Sequence, residues 1–335
     1  MNLAIIGGGP AGLYAAEIAR KGGYKVTLFE GKASVGRKFL VAGHGGLNLT
    51  HSEAIEPFSK RYSGGASTSF WTSLLSDFSN NDLCAWANQL GIETFIGTSG
   101  RIFPKEFKAA PLLRRWVENL RVLGVQFKTR HQLKEIQRVE GRFLLEFTTP
   151  KRSESYDFDA LLLALGSASW PKTGSDAKWV SLFEKLGIKT IPFQAANCGW
   201  ETDWSEEILR HAEGHPLKNI LVKAGERSIS GELLITRYGL EGGTLYQLGS
   251  ILRSMTHPFL TLDLKPSFSA HELAEKIKKF SGNFPSQAIR SWRLGVAAAS
   301  LLKSLSPETT QQDPLSLAQF AKAVPIRLLR SRPIA

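Results

Sequence analysis

The sequence predicts an α/β chain whose first part is built on a parallel sheet and whose second part is β-rich and then helical. Three observations carry this. The apolar stretch Asn2–Ile6 runs into a glycine turn and then a helix-spaced segment, the apolar run Ala160–Leu165 ends abruptly in Gly166, and from about residue 190 the pattern changes to short alternating strands. At 335 residues, with 42% hydrophobic and 21% charged side chains, the composition is that of an ordinary globular enzyme and excludes disordered, collagenous and coiled-coil chains. The expected boundaries are a first domain at 1–190, a β-rich insert at 191–265 and a helical subdomain at 266–325, with 326–335 returning towards the first domain.

The opening element is a strand over Asn2–Ile6, followed by Gly7-Gly8-Gly9-Pro10-Ala11-Gly12 and a helix through Leu13, Ala16 and Ala19 to Gly22-Gly23. A nucleotide-binding βαβ unit requires this order. Gly7 permits the tight turn, Gly9 lets the backbone approach a pyrophosphate, and Gly12 lets helix and strand pack closely. Pro10 falls where its missing N–H does no harm, and the helix N-terminus opening on Pro10-Ala11 offers free amides and partial positive charge to phosphates. Lys25–Phe29 reads as the second strand, ending in Glu30, 18 residues after Gly12. An acid at that place accepts hydrogen bonds from ribose hydroxyls and favours a 2′-OH, hence FAD or NAD before NADP.

Next come Gly36-Arg37-Lys38-Phe39-Leu40 and Ala42-Gly43-His44-Gly45-Gly46-Leu47-Asn48-Leu49-Thr50. A long glycine-rich loop is expected, unlike the helix that an NAD-only dehydrogenase places there. Gly43, Gly45 and Gly46 would allow backbone contact with an extended ligand, and Arg37 and Lys38 would neutralise pyrophosphate charge. The alternative is an exposed flexible loop.

Downstream, Leu83, Trp86, Ala87 and Leu90 follow an Asn80-Asn81-Asp82 cap, and Leu113, Trp116, Val117 and Leu120 precede Gly124, giving two amphipathic helices. Val125–Thr129 reads as a third parallel strand and Leu133–Val139 with Arg142–Thr148 as a hairpin. Gly174-Ser175-Asp176 is expected to begin a helix closed by Gly187, and strands are expected at Asn219–Lys223, Glu232–Thr236 and Phe259–Leu264. Ser269–Glu272 reads as a capping box before Leu273, Ile277 and Phe280, and Ser316–Gln319 as another.

The glycine loop resembles that of the BaiN-like (YhiN-like) family of NAD(P)/FAD-dependent flavoproteins, whose Gly-Gly-Gly-Arg-Cys-Asn stands here as Gly43-His44-Gly45-Gly46-Leu47-Asn48. With Gly46 and Leu47 in place of Arg and Cys, no role of those two side chains carries over. The variant resembles an uncharacterised sub-branch, as do Ser99–Lys105, Leu165–Pro171, Asn197–Gly199 and Thr236–Gly243. The resemblance implies a Rossmann-like FAD-binding domain of glutathione-reductase type, interrupted by a β-barrel-like and a helical subdomain. Expected FAD contacts are Gly7, Gly9, Pro10, Ala11, Gly12, Glu30, Arg37, Lys38, Gly43, Gly45, Gly46, Asn48, Leu133 and Gly166. Family members continue beyond the point matching Ala335 into a glycine-rich segment that closes on the flavin ring. From this the adenosine half of the site is expected intact, the isoalloxazine half incomplete, and a sheet edge uncovered.

With no second strand-linked fingerprint after Gly12, a reductant such as NAD(P)H is expected to enter over the flavin rather than occupy a domain of its own. Cys84 and Cys198 form neither a redox pair nor a metal cage. His44, Arg101, Lys105, Lys172, Arg237 and Tyr238 are candidate acids or bases, each more often solvated surface. Cys198 is more often a buried thiol than a nucleophile. The pair His211 and His215 is interrupted by Gly214 and Pro216, so no metal site is expected. The net charge of +12 favours anionic partners, but no more than two Lys or Arg are adjacent, so nucleic acid is not the expected partner. No apolar run reaches membrane-span length, and a strand starting at Asn2 leaves no room for a signal peptide, giving a cytoplasmic expectation. The leading reading is an FAD-dependent oxidoreductase using NAD(P)H on an unassigned small substrate. The alternatives are an RNA-interacting or tRNA-modifying flavoprotein and a catalytically incomplete nucleotide-binding remnant.

Overall fold

The computed structural model describes residues 1–334 except His44, Ser63, Gly64 and residues 278–282; the His44 candidate and the Phe280 helix position lie outside the described residues. The chain divides into two units, Met1–Pro192 and Phe193–Ile334.

In the first unit, β1 (Asn2–Ile6) is apolar on both faces because both are covered. Ile5 packs with Leu13, Leu28, Leu112 and Trp116, while Ala4 and Ile6 pack with Phe29, Leu145 and Phe147. Helix α1 (Pro10–Lys21) starts on proline and ends on Arg20 and Lys21 before Gly22, with cations at the end where the helix dipole favours them. After β2 (Lys25–Glu30), the expected loop is partly a helix, α2 (Arg37–Ala42), entered through Gly36 at φ +69°. Phe39 on α2 packs against the helix-side core, which gives this short segment the tertiary support a lone turn lacks.

Two-residue β3 (Thr50–His51) and helices α3 (Ile55–Ser59) and α4 (Thr68–Asp77) follow. The cap of α5 (Asn80–Gln89) is Ser79 paired with Asp82, not Asn80-Asn81-Asp82, because the buried Asn80 instead donates to the carbonyls of His51 (2.6 Å) and Glu53 (2.8 Å). Then come β4 (Thr94–Ile96), β5 (Arg101–Pro104), α6 (Ala109–Val122), β6 (Gln126–Thr129), β7 (Gln132–Val139), β8 (Arg142–Thr148), β9 (Ser153–Phe158) and β10 (Ala160–Leu163). The next helix, α7, spans Trp179–Lys185 rather than starting at Gly174, whose φ of +104° is incompatible with a helix.

The parallel strands lie in the order β10-β1-β2-β6, so chain order reverses direction beside β1, the switch-point arrangement of doubly wound folds. Helices α1 and α6 cover one face. The antiparallel sheet β7-β8-β9 covers the other, with Phe29 stacked on Phe147 at 4.2 Å. Glu17 on α1 is buried, yet it accepts from the indole N–H groups of Trp86 (3.1 Å) and Trp116 (2.9 Å) and from Lys21 (2.7 Å), which locks α1 to α5 and α6.

The second unit begins with β11 (Trp200–Glu201), α8 (Glu206–Ala212), β12 (Pro216–Ala224), β13 (Arg227–Thr236), β14 (Gly239–Glu241), α9 (Gly243–Ser254) and β15 (Phe259–Asp263). It continues with α10 (Ala270–Ile277), α11 (Phe284–Ser291), α12 (Val296–Leu305), α13 (Pro314–Lys322) and β16 (Val324–Arg327). Its sheet runs β11-β14-β13-β12-β15-β16, antiparallel throughout. Leu273, Leu301 and Leu317 share one core with Val222, Ile235 and Leu260. Residues 191–265 and 266–325 are therefore not separate bodies, because the apolar sheet face requires the helices as its cover. The tail expected to return to the first domain is instead β16, paired with β15, with Val324 and Ile326 buried and Pro325 tolerated at this outer position. Beyond it Leu329 N–H bonds Glu201 O (2.8 Å), Glu201 N–H bonds Arg330 O (2.9 Å), and Ser331 bridges Trp200. Ser269 and Glu272 cap α10 reciprocally. The cap of α13 is Asp313, which accepts from Ser316 N–H at 2.7 Å, so Ser316–Gln319 lies inside the helix.

Candidate functional site

The C-terminal ends of β1, β2 and β10 open into a cavity of about 490 Å³, within the range of about 300–1,000 Å³ typical of ligand pockets. It lies at the switch point, where doubly wound sheets bind ligands. Gly7, at φ +112°, turns the chain off β1, and an added Cβ there would stand 2.2 Å from the Ala164 carbonyl oxygen. A Cβ on Gly12 would stand 1.9 Å from the Gly7 oxygen, whereas one on Gly9 would meet nothing within 4 Å. Gly7 thus lets β1 turn close against the segment after β10, Gly12 lets α1 pack on the turn after β1, and Gly9, in the cavity wall with Pro10 and Ala11, leaves room for a ligand. The first α1 amide bonded to a backbone carbonyl is that of Leu13, to Gly9 O at 2.9 Å. The amides of Ala11 and Gly12 therefore have no helical partner.

Glu30 reaches the cavity with both oxygens engaged, Oε2 accepting from Gly8 N–H (2.9 Å) and Oε1 from Lys32 N–H (2.7 Å). Each oxygen keeps a second lone pair, so the carboxylate is oriented by the backbone and still able to accept from hydroxyls. Arg37 and Lys38 also line the cavity. Lys38 Nζ donates to Ser169 Oγ (3.1 Å) and Ser167 Oγ (3.3 Å), and burial pushes its pKa down. No carboxylate among the described residues forms an ion pair with it. Gly166, at φ +76°, presents its carbonyl to the Trp179 indole N–H (3.1 Å), and Leu133 forms part of the wall.

The remaining expected residues do not line this cavity. Gly12 sits behind the wall, and Gly43 packs against Ala109, whose Cβ would be 2.5 Å from a Cβ at position 43. Gly45 and Gly46 are not in the wall, and Asn48 faces a different groove. Residues that sequence reasoning passed over are Gly8, His131, Gln132, Ser167 and Ser175. His131 packs on Phe29 and Phe147, with Nε2 3.5 Å from Glu154 and Nδ1 2.8 Å from Thr129 O. Of the acid–base candidates, Lys105 pairs with Glu93 at 2.8 Å, and Arg237 is exposed while Tyr238 donates to Glu241, both in the second unit. Lys172 is exposed on the turn Pro171–Thr173. Cys198 donates to Ala195 O at 3.7 Å, and burial raises its pKa, which disfavours a thiolate nucleophile. His211 ends α8 while His215 precedes β12. Among the described residues no cluster of three His, Cys, Asp or Glu is arranged to hold a metal, and no helix is long and apolar enough to cross a membrane.

The free amides of the α1 turn, Arg37 and Lys38 suit a pyrophosphate, and Glu30 suits a ribose. This donor set fits the adenosine-diphosphate part of a dinucleotide. Fold and site together define a Rossmann-type FAD-dependent oxidoreductase. The model of the HI0933-like protein Rossmann domain matches residues 1–302, and the chain belongs to that family. It is 24% identical over 287 residues to a ribosomal RNA dihydrouridine synthase of Haemophilus influenzae, covering 86% of this chain and 69% of the relative. It is also 24% identical over 294 residues to a 3-dehydro-bile acid delta(4,6)-reductase of Clostridium scindens, covering 83% and 67%. The chain thus spans about two thirds of the length of these curated relatives. Among solved structures, a 3-ketosteroid-delta4-(5alpha)-dehydrogenase from Rhodococcus jostii matches with a TM-score of 0.51 at 12% identity, over 99% of this chain and 83% of that one, a likeness of fold.

Proposed function

We propose that the cavity at the β1–α1 turn holds FAD through its adenosine diphosphate, and that the chain uses it to reduce a small organic substrate with NAD(P)H as electron donor. The observation that supports this most directly is the pairing of the open Gly9 position with a Glu30 carboxylate tied by two backbone amides. FAD, when bound, supplies two-electron chemistry; the chain binds, orients and shields it. In this reading Glu30 accepts from the ribose, the α1 amides with Arg37 and Lys38 hold the pyrophosphate, and Leu133 and Gly166 border the space beyond. The test is to titrate apo-protein with FAD and then add NADH or NADPH without oxygen. Bleaching of the flavin band by either nucleotide supports the reading, and absence of FAD binding overturns it.

A second reading, action on ribosomal RNA, is favoured by the +12 charge together with similarity to two ribosomal RNA dihydrouridine synthases, from Haemophilus influenzae and Escherichia coli. Charge alone gives salt-sensitive, non-specific attraction. Binding to a labelled ribosomal RNA fragment is therefore expected to vanish near physiological salt, and tight binding that persists there would place this reading first.

A further inference from the structure

We propose that the first unit carries a second ligand site, a groove between β3, β5 and helices α3 to α5, which takes an organic anion with an apolar body. The groove has a volume of about 490 Å³ and shares no wall residue with the nucleotide cavity.

Its charge is what selects the ligand. The wall holds Arg61, Arg101 and His51 and no carboxylate. Arg61 is already neutralised, because its Nε and Nη2 donate to the two oxygens of Glu53, a bidentate pairing that leaves little charge to offer. His51 is engaged by its neighbours. Its Nε2 lies 3.0 Å from the Ser99 carbonyl oxygen, and its Nδ1 lies 3.2 Å from the Glu53 backbone nitrogen and 3.7 Å from the Glu53 carboxylate. Arg101 on β5 remains, and among the described residues no carboxylate lies within ion-pair distance of it. The groove therefore presents one uncompensated guanidinium.

The rest of the wall combines the polar Asn48, Thr50, Ser79 and Asn80 with an apolar side that is held in place. Phe58, Tyr62, Leu75 and Phe78 face the groove. Tyr62 packs on Phe58 and on Trp71, with ring centroids 5.7 and 5.6 Å apart. The floor is fixed by the buried Asn80, whose amide ties the carbonyls of His51 and Glu53. A guanidinium with no carboxylate partner among the described residues, set beside an aromatic wall, matches a carboxylate or sulfonate carried on a ring system. A bare inorganic anion would leave the apolar wall wet, and a neutral hydrocarbon would leave the guanidinium without a partner.

Calorimetric titration of the full chain, with and without saturating FAD, tests this using 2-naphthoate and its neutral counterpart 2-naphthalenemethanol. The expected result is saturable one-to-one binding of 2-naphthoate, unaffected by FAD, with the alcohol at least tenfold weaker. Arg101→Gln should weaken 2-naphthoate at least tenfold and leave FAD affinity unchanged, which also reports that the variant is folded. Equal affinity for acid and alcohol in the unaltered protein, displacement of 2-naphthoate by FAD, unchanged binding in Arg101→Gln, or no saturation at millimolar ligand would each overturn the proposal.

Discussion

Replacing Gly9 and Gly12 in turn by alanine separates what the fold needs from what the ligand needs. At Gly12 the new methyl would lie 1.9 Å from the Gly7 oxygen and 3.4 Å from the Ala164 side chain. A backbone oxygen cannot rotate away, so α1 must lift off β1, and overpacking of this kind costs about 1–3 kcal/mol. For a unit of this size that is roughly 2–12 °C in melting temperature. At Gly9 the backbone is already extended, with φ −79° and ψ 178°, and the methyl would meet nothing. Gly9→Ala should therefore melt like the parent or slightly higher, since the change trims unfolded-state freedom by about 0.4–1 kcal/mol. In the presence of FAD the order inverts. The Gly9 methyl occupies the approach path of the pyrophosphate and should weaken FAD at least tenfold, about 1.4 kcal/mol. Differential scanning fluorimetry of apo-protein and a fluorescence titration with FAD make the comparison. Wild-type FAD affinity in Gly9→Ala, or equal melting of the two apo-variants, would refute this division of roles.

Glu30→Ala should weaken FAD roughly tenfold or more, since a hydrogen bond to a ribose costs about 1–3 kcal/mol to lose, and should also lower apo-protein stability by releasing the Gly8 and Lys32 amides; an unchanged dissociation constant would place the ribose elsewhere. Glu17→Leu leaves two buried indole donors unpaired and is expected to destabilise by roughly 2–5 kcal/mol, measured by urea denaturation, with an unchanged midpoint sinking the idea. Glu201 is held below the usual carboxylate range by Arg330 and then Arg332. A depressed folded pKa stabilises above the unfolded value near 4 and loses that effect as pH falls through the folded one. The stability gap between the parent and Glu201→Gln should therefore be largest near neutral pH and close below about pH 4; a gap that widens in acid would contradict the assignment.

The β1–α1–β2 unit was legible because its packing is local. Strand, glycine turn, helix and the closing Glu30 are contiguous, and each glycine answers to a neighbour within the same βαβ unit or to the next strand's end at Ala164. Misreadings arose where tertiary contacts decide. At Gly43 the missing side chain makes room for Ala109 on α6, a packing role the sequence did not display. Residues 37–42 read as loop because the support for α2 comes through Phe39 from a distant core. Ser79 outcompetes Asn80 as a cap only because Asn80 has carbonyls of another segment to bond. His131 and Gln132 carry no motif, and they enter the cavity because β7 begins beside the end of β2, while Ser167 lies on the loop after β10, beside the end of β1.

The segment after β16 has a consequence for how the second unit meets other chains. The sheet runs from β11 to β16, and residues 329–332, continuing from β16, bond back to Gly199, Trp200 and Glu201 at the opposite end. One short stretch continuing from β16 thereby also borders β11, the strand at the other end of the sheet. The backbone groups of residues 199–201 that these bonds use are not open to the strand of a neighbouring molecule. Residues 329–332 thus protect the β11 rim against intermolecular strand addition, and shortening the chain to residue 327 would leave that rim free, with a tendency to associate.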